Sequence, residues 1–154
     1  IRSNHWQTKR IKKKCLSWRT QFNTIAMKKE KIHLEYLLNA TSRNIIWSAI
    51  STPSGLEGWF ADRVVSNDKT VSFYWGKEEK REAEIIAIRA FSYIRFRWKD
   101  DNDDRDYFEL KMTNNELTND YVLEITDFAY HDEVDDFKEL WDSQIETLRR
   151  TCGF

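Results

Sequence analysis

The chain has 154 residues, 40% hydrophobic and 14% aromatic, which excludes a disordered chain and suits one domain with a substantial core. No apolar run approaches the roughly 20 residues that span a bilayer, and the N-terminal stretch lacks the apolar segment of a secretory signal. The net charge of −1 is unevenly spread: residues 1–26 hold seven basic residues and no acid, leaving 18 basic against 26 acidic residues beyond them, a body with no evident affinity for nucleic acid.

Residues 1–26 form a basic tail ahead of Met27-Lys28-Lys29-Glu30-Lys31, which reads as a natural translation start. Three readings of the tail are open. It is vector or upstream sequence read as protein from a mis-assigned start, and so stands outside the fold. Or it is a basic amphipathic helix, with Ile11, Cys15, Trp18, Phe22 and Ile25 recurring at steps of three and four, suited to an anionic membrane surface or a partner's groove. Or it is a nucleic-acid arm, which the acidic body disfavours. The domain is expected over 27–154. Cys15 and Cys152 have no metal-like spacing, and two distant thiols point to a reducing, cytoplasmic setting.

Ile32, Leu34, Tyr36 and Leu38 alternate with mostly polar residues and predict a half-buried first strand, with His33 on its solvent face. Thr41 or Ser42 can cap a helix carrying Ile45, Ile46, Ala49 and Ile50. Thr52-Pro53 stops that helix and starts another, because proline suits a first helical position and Thr52 is placed to cap it. Gly55 and Gly58 weaken the second helix, so it should be short. Trp59-Phe60 then leads into a strand. Further strands are expected near 60–66, 70–76, 80–90, 92–99, 106–113 and 119–129, joined by turn residues as an antiparallel meander. Val134, Phe137, Leu140, Trp141, Gln144, Ile145, Leu148 and Cys152 predict a closing helix of about five turns. Asp132 can cap its start, Asp135 and Asp136 suit its N-terminal dipole, Arg149 and Arg150 its C-terminal end, and Gly153 its termination.

The order strand, helix pair, six strands, long helix resembles the helix-grip fold of the START-like superfamily. The residues that carry the likeness are Ile46-Trp47-x-Ala49-Ile50-x-x-Pro53-x-x-Leu56-x-x-Trp59-Phe60 and Leu123-x-Ile125-x-Asp127-Phe128. They are most similar to the homologues of the activator of heat-shock protein 90 ATPase. The resemblance implies an α+β domain. A curved antiparallel sheet of six to seven strands grips the C-terminal helix, with a cavity between. Its expected lining is Phe73, Trp75, Ile86, Ile88, Phe96, Trp98, Trp141 and Gln144; the same aromatic residues can instead fill the interior.

Catalytic patterns are missing. There is no His-x-Glu or Cys-x-x-Cys zinc motif, no phosphate loop and no Gly-x-Ser-x-Gly elbow. His131, Asp132 and Glu133 are consecutive, and three neighbours rarely converge on one ion. Asp100, Asp101, Asp103 and Asp104 lack the glycine and the twelfth-position acid of a calcium loop and read as a solvated hairpin tip. Glu82 and Glu84 share a strand face, as do Arg95 and Arg97, which suggests cross-strand ion pairs; if that face lined the cavity, Arg95 would grip a ligand carboxylate. Tyr36, Tyr74, Tyr93, Glu84 and Asp127 are the acid–base candidates a cyclase or hydratase would need. The expected function is a non-enzymatic domain that binds an apolar or amphipathic small molecule, without cofactor or metal. The alternative is a protein-interaction module of the chaperone-activator kind. The chain is expected as a monomer or weak dimer, with no nucleic acid and no membrane span.

Overall fold

The computed structural model describes residues 28–40, 42–101 and 105–154; the basic tail, Thr41 and residues 102–104 lie outside them. Seven strands, β1 (Glu30–Leu38), β2 (Arg63–Asn67), β3 (Thr70–Trp75), β4 (Glu79–Arg89), β5 (Tyr93–Trp98), β6 (Phe108–Asn114) and β7 (Tyr121–Ala129), form one antiparallel sheet in the order β1-β7-β6-β5-β4-β3-β2. Helices α1 (Arg43–Ser51) and α2 (Pro53–Leu56) follow β1, and α3 (Val134–Cys152) closes the chain.

Alternation sets the two sheet faces. Val71, Phe73 and Trp75, then Ile94, Phe96 and Trp98, then Phe108, Leu110 and Met112 are all buried on the inner face. Over that face lie the α1–α2 corner and the apolar stripe of α3, whose Trp141, Ile145 and Leu148 join the same core cluster. Ile32, Ala129 and Phe137 make a smaller cluster where α3 starts.

The corner forms as its residues dictate. Thr52 Oγ1 accepts the Gly55 N–H at 3.0 Å and donates to the Ser48 carbonyl at 2.7 Å, so one hydroxyl ends α1 and caps α2. Ser42 occupies the N-cap of α1 without a side-chain cap bond. The next strand starts at Arg63, later than the sequence suggests, because Trp59 and Phe60 turn into the core. Trp59 Nε1–H donates to the Ala49 carbonyl, and Trp75 Nε1–H to the Phe60 carbonyl, each at 3.0 Å. The indoles thus satisfy backbone groups that the corner would otherwise bury unpaired.

At α3, Asp135 and Asp136 occupy the first turn, Arg149 and Arg150 the last, and Gly153 adopts a left-handed φ of 71°. Asp132 is not the cap. It lies in the short 3₁₀ turn His131–Glu133, and Glu133 holds the N-cap position without a side-chain bond.

Two charged contacts fasten the ends. Tyr36 Oη–H donates to Asp142 Oδ1 at 2.6 Å, tying β1 to α3. Lys29 Nζ lies 3.0 Å from Asp106 and 3.8 Å from Asp101, tying the start of the described chain to the β5–β6 connection. Burial and the Asp142 hydrogen bond push the Tyr36 phenol above its ordinary 10.0. Burial alone would lower Lys29, but Asp101 and Asp106 outweigh it and raise the amine above 10.5. Both raised values favour the protonated, folded state. Their contributions are complete below the unfolded values and fade as pH rises through the folded ones. Stability should therefore hold from neutral pH to about pH 10 and fall above it. The fall should be shallower in Tyr36→Phe. Denaturant midpoints across this range check it, and a wild-type midpoint unchanged to roughly pH 12 contradicts it.

Candidate functional site

The inner face of the sheet brings together most of the residues that the sequence nominates. Phe73, Trp75, Phe96, Trp98 and Trp141 are all buried in one cluster. The rings of Phe73, Trp75, Trp98 and Trp141 meet around Phe60, a residue outside the expected lining. Its centroid lies 4.9 Å from Phe73, 5.5 Å from Phe108, 5.9 Å from Trp141, 6.1 Å from Trp75 and 6.4 Å from Trp98. These separations are those of packed aromatic pairs. Around Phe60 the interior is a ring-filled core, supplied by the α1–α2 corner.

Gln144 differs from its neighbours. It projects from α3 in phase with Trp141, Ile145 and Leu148 and is 4% exposed. Among the described residues its side-chain amide enters no hydrogen bond, and its polar atoms are not sealed from solvent. A primary amide carries two donors and an acceptor, free here to meet solvent or a bound molecule.

Ile86 and Ile88 are placed differently from the expectation. Ala83 pairs with Trp98 and Ile85 with Phe96, but Ala87 pairs with Arg95 and Ile88 with Ile94, so the register shifts between Ile85 and Ala87. Ile86 is the extra residue of this β-bulge, and the strand's inward phase passes from odd to even positions. Ile85, not Ile86, packs against the core. Ile88 returns to the inner phase near the β4–β5 hairpin, where it is 54% exposed. Strict alternation cannot foresee a bulge.

Arg95 and Arg97 lie on the outer face, opposite Ile94, Phe96 and Trp98. Arg95 pairs with Glu109 on β6, Nη2 to Oε2 at 2.7 Å, and stacks on Tyr107 at 4.1 Å. Its ion pair is thus cross-strand but does not involve Glu82 or Glu84, and it does not reach the interior. Glu82 is held by Lys80 at 3.1 Å and Lys99 at 3.9 Å.

Arg81, which no sequence motif nominates, is 6% exposed. It stacks on Trp98 at 4.0 Å and grips Asp100 with two bonds, Nε to Oδ2 at 3.1 Å and Nη2 to Oδ1 at 2.8 Å. Its phase with Ala83 and its register opposite Phe73 are the signals that place it inward. Asp100 is ion-paired to Arg81 and Asp101 to Lys29; Asp103 and Asp104 lie outside the described residues.

The acid–base candidates scatter. Tyr74 lies under Arg63 at 4.2 Å, on the outer face with Tyr93 and the exposed Glu84. Asp127 is buried, and its two oxygens accept the Trp141 Nε1–H at 2.9 Å and the Phe128 N–H at 2.8 Å. His131 Nδ1 lies 2.7 Å from Glu30 instead of converging with Asp132 and Glu133. Among the described residues, the group with metal-ligating atoms close enough to share an ion is His33, Glu35 and Glu124. No helix among those residues is long and apolar enough to cross a membrane.

Similar proteins agree with this architecture. A solution NMR structure of a protein from Bacteroides fragilis is 75% identical, covering 83% of this chain and 94% of that one, with a TM-score of 0.61. The Aha1 dimer from Colwellia psychrerythraea is 14% identical over 77% of this chain and 92% of that one, with a TM-score of 0.60. CalU16 from Micromonospora echinospora is also 14% identical, covering 80% and 79%, with a TM-score of 0.59. At such identities the last two show the fold alone. No curated protein matches the sequence. The START-like superfamily domain profile matches residues 26–154, nearly all of the chain that builds the sheet, the corner and the gripped helix, and the chain belongs to that superfamily.

Proposed function

We propose that this domain holds a largely apolar small molecule between the sheet and α3, beside the ring-filled core around Phe60, with one polar group of the ligand bonded to Gln144. The carrying observation is that buried, unpartnered amide on the inner stripe of α3. Apolar inner-face residues would supply affinity by burial, at roughly 25 cal/mol per Å² before the costs of association. Gln144 would select for a donor or acceptor on the ligand. The reading is of a binding domain and not an enzyme. Among the described residues, the buried carboxylate of the inner face is Asp127, and it accepts from Trp141 and the Phe128 amide. A reducing, cytoplasmic setting belongs to the same reading and rests on the widely separated Cys15 and Cys152.

Gln144→Leu provides the test. With its amide open to solvent, the ligand-free variant should stay within about 1 kcal/mol of wild-type stability. The same change should abolish retention of the small molecule in native mass spectra of protein purified from its own host. A Gln144→Leu variant that is destabilised by more than about 1 kcal/mol shows the amide to be satisfied within the fold and removes the proposal.

A second reading, a protein-contact module, is favoured by the partly exposed Phe91, which meets Trp47 at 6.1 Å and Arg43 at 4.6 Å beside the β4–β5 hairpin. The same spectra separate the two readings: a small added mass marks a ligand, a whole-protein increment marks a partner.

A further inference from the structure

The outer face of the sheet carries a group of side chains unrelated to the interior. Glu35 on β1 and Glu124 on β7 are direct cross-strand partners. Like charges placed opposite each other destabilise a sheet unless something positive joins them. His33 lies two residues before Glu35 and so shares its face. Its Nε2 is 3.3 Å from Glu35 Oε1 and 3.3 Å from Glu124 Oε1. The ligating atoms of all three residues lie within 4.8 Å of one another.

We propose that His33, Glu35 and Glu124 form a surface site for a divalent transition metal such as zinc. The imidazole sets this group apart from an ordinary acidic patch. A neutral ring nitrogen with two carboxylate oxygens is a mixed donor set that suits zinc, and a solvent molecule completes four-coordination. The spacing also fits: bonds of about 2.0–2.1 Å at tetrahedral angles put neighbouring ligand atoms about 3.3–3.4 Å apart. The metal would stand between Nε2 and the two carboxylate oxygens, bound by the deprotonated ring nitrogen. All three residues project from paired strands and not from loops, which limits the cost of bringing them together. Lys111 is the register neighbour of Glu124 on β6, so one positive charge flanks the site. With His33 neutral, the three ligating side chains still carry two negative charges.

The experiment is a calorimetric titration of the metal-stripped, full-length chain with zinc chloride near neutral pH. It is repeated on His33→Ala, Glu35→Gln and Glu124→Gln, with His131→Ala as control, since His131 faces only Glu30. One saturable site is expected, weakened roughly tenfold or more in each of the three variants and unchanged in the control. Cobalt substitution should give the absorption of a tetrahedral centre in wild type and not in His33→Ala. Without metal, Glu35→Gln and Glu124→Gln should keep or slightly raise the wild-type melting temperature, because each relieves the opposed charges. A wild-type Kd above ~1 mM, or a His33→Ala variant that binds zinc as wild type does, overturns the proposal. The site is independent of Gln144, and its failure would leave the interior reading standing.

Discussion

A Gly55→Ala variant is expected to lose about 3 kcal/mol of stability or more. Helix α2 crosses α1 so closely that a Cβ on residue 55 would lie 1.8 Å from the Ser48 carbonyl oxygen, 2.6 Å from its carbon and 2.8 Å from Ala49 Cα. These are backbone atoms, and no rotamer change moves them away. To relieve the clash α2 must lift from α1. That strains the Thr52 cap and pulls on Leu56, Trp59 and Phe60, all buried. Gly58 makes the internal control. It has a φ of 92° but open space where its Cβ would stand, so Gly58→Ala should cost only conformational strain, about 1 kcal/mol. Urea unfolding of the two variants measures the difference. Equal midpoints for Gly55→Ala and wild type would show that the helices can separate freely, contrary to this account.

Phe60→Ala should cost about 3–5 kcal/mol, the range for emptying a well-packed aromatic position. The ring is fully buried and lies within 6.4 Å of Phe73, Trp75, Trp98, Phe108 and Trp141. Those rings project from three strands and a helix and cannot all collapse into the space. The near-ultraviolet circular dichroism of the tryptophans should weaken as their fixed surroundings loosen. Phe60→Leu, which keeps most of the volume, should cost markedly less. A loss below about 1 kcal/mol for the alanine variant would mean that Phe60 borders open space instead of filling it.

Much of the fold is legible in the chain, and particular residues show why. The alternation Ile94-Arg95-Phe96-Arg97-Trp98 assigns inner and outer faces without further information, and Thr52-Pro53 marks the corner. The 3–4 spacing from Val134 to Leu148 gives the closing helix, and Gly153 gives its end. These are local rules, set by the geometry of one strand or one helical turn. The errors fall where local rules meet a neighbour. Gly55 reads as a weak point in a helix, yet it is required by the backbone of α1 passing beneath it. The β4 bulge reverses the phase after Ile85, and Ile88, back in the inner phase, is exposed by its place near the β4–β5 hairpin. Arg95 finds Glu109 rather than Glu84 because the register sets it opposite Ala87 on β4 and Glu109 on β6.

The candidate site divides the same way. That Gln144 shares a stripe with Trp141, Ile145 and Leu148 follows from helical periodicity alone. That it is buried without a partner depends on what the sheet sets against it, which no spacing along the chain encodes. His33 and Glu35 are visibly on one strand face, but Glu124 joins them only because β7 pairs with β1 in that register. By itself the sequence determined the elements, their order, most of their faces and the resemblance to the START-like fold, since these arise from interactions within a few residues. Tertiary structure alone decided that Phe60 fills the space among the nominated aromatic residues, that Arg81 is buried, and that two glutamates and a histidine converge. Those outcomes require residues distant in sequence to compete for the same volume or the same charge, and only the assembled sheet and helices decide the competition.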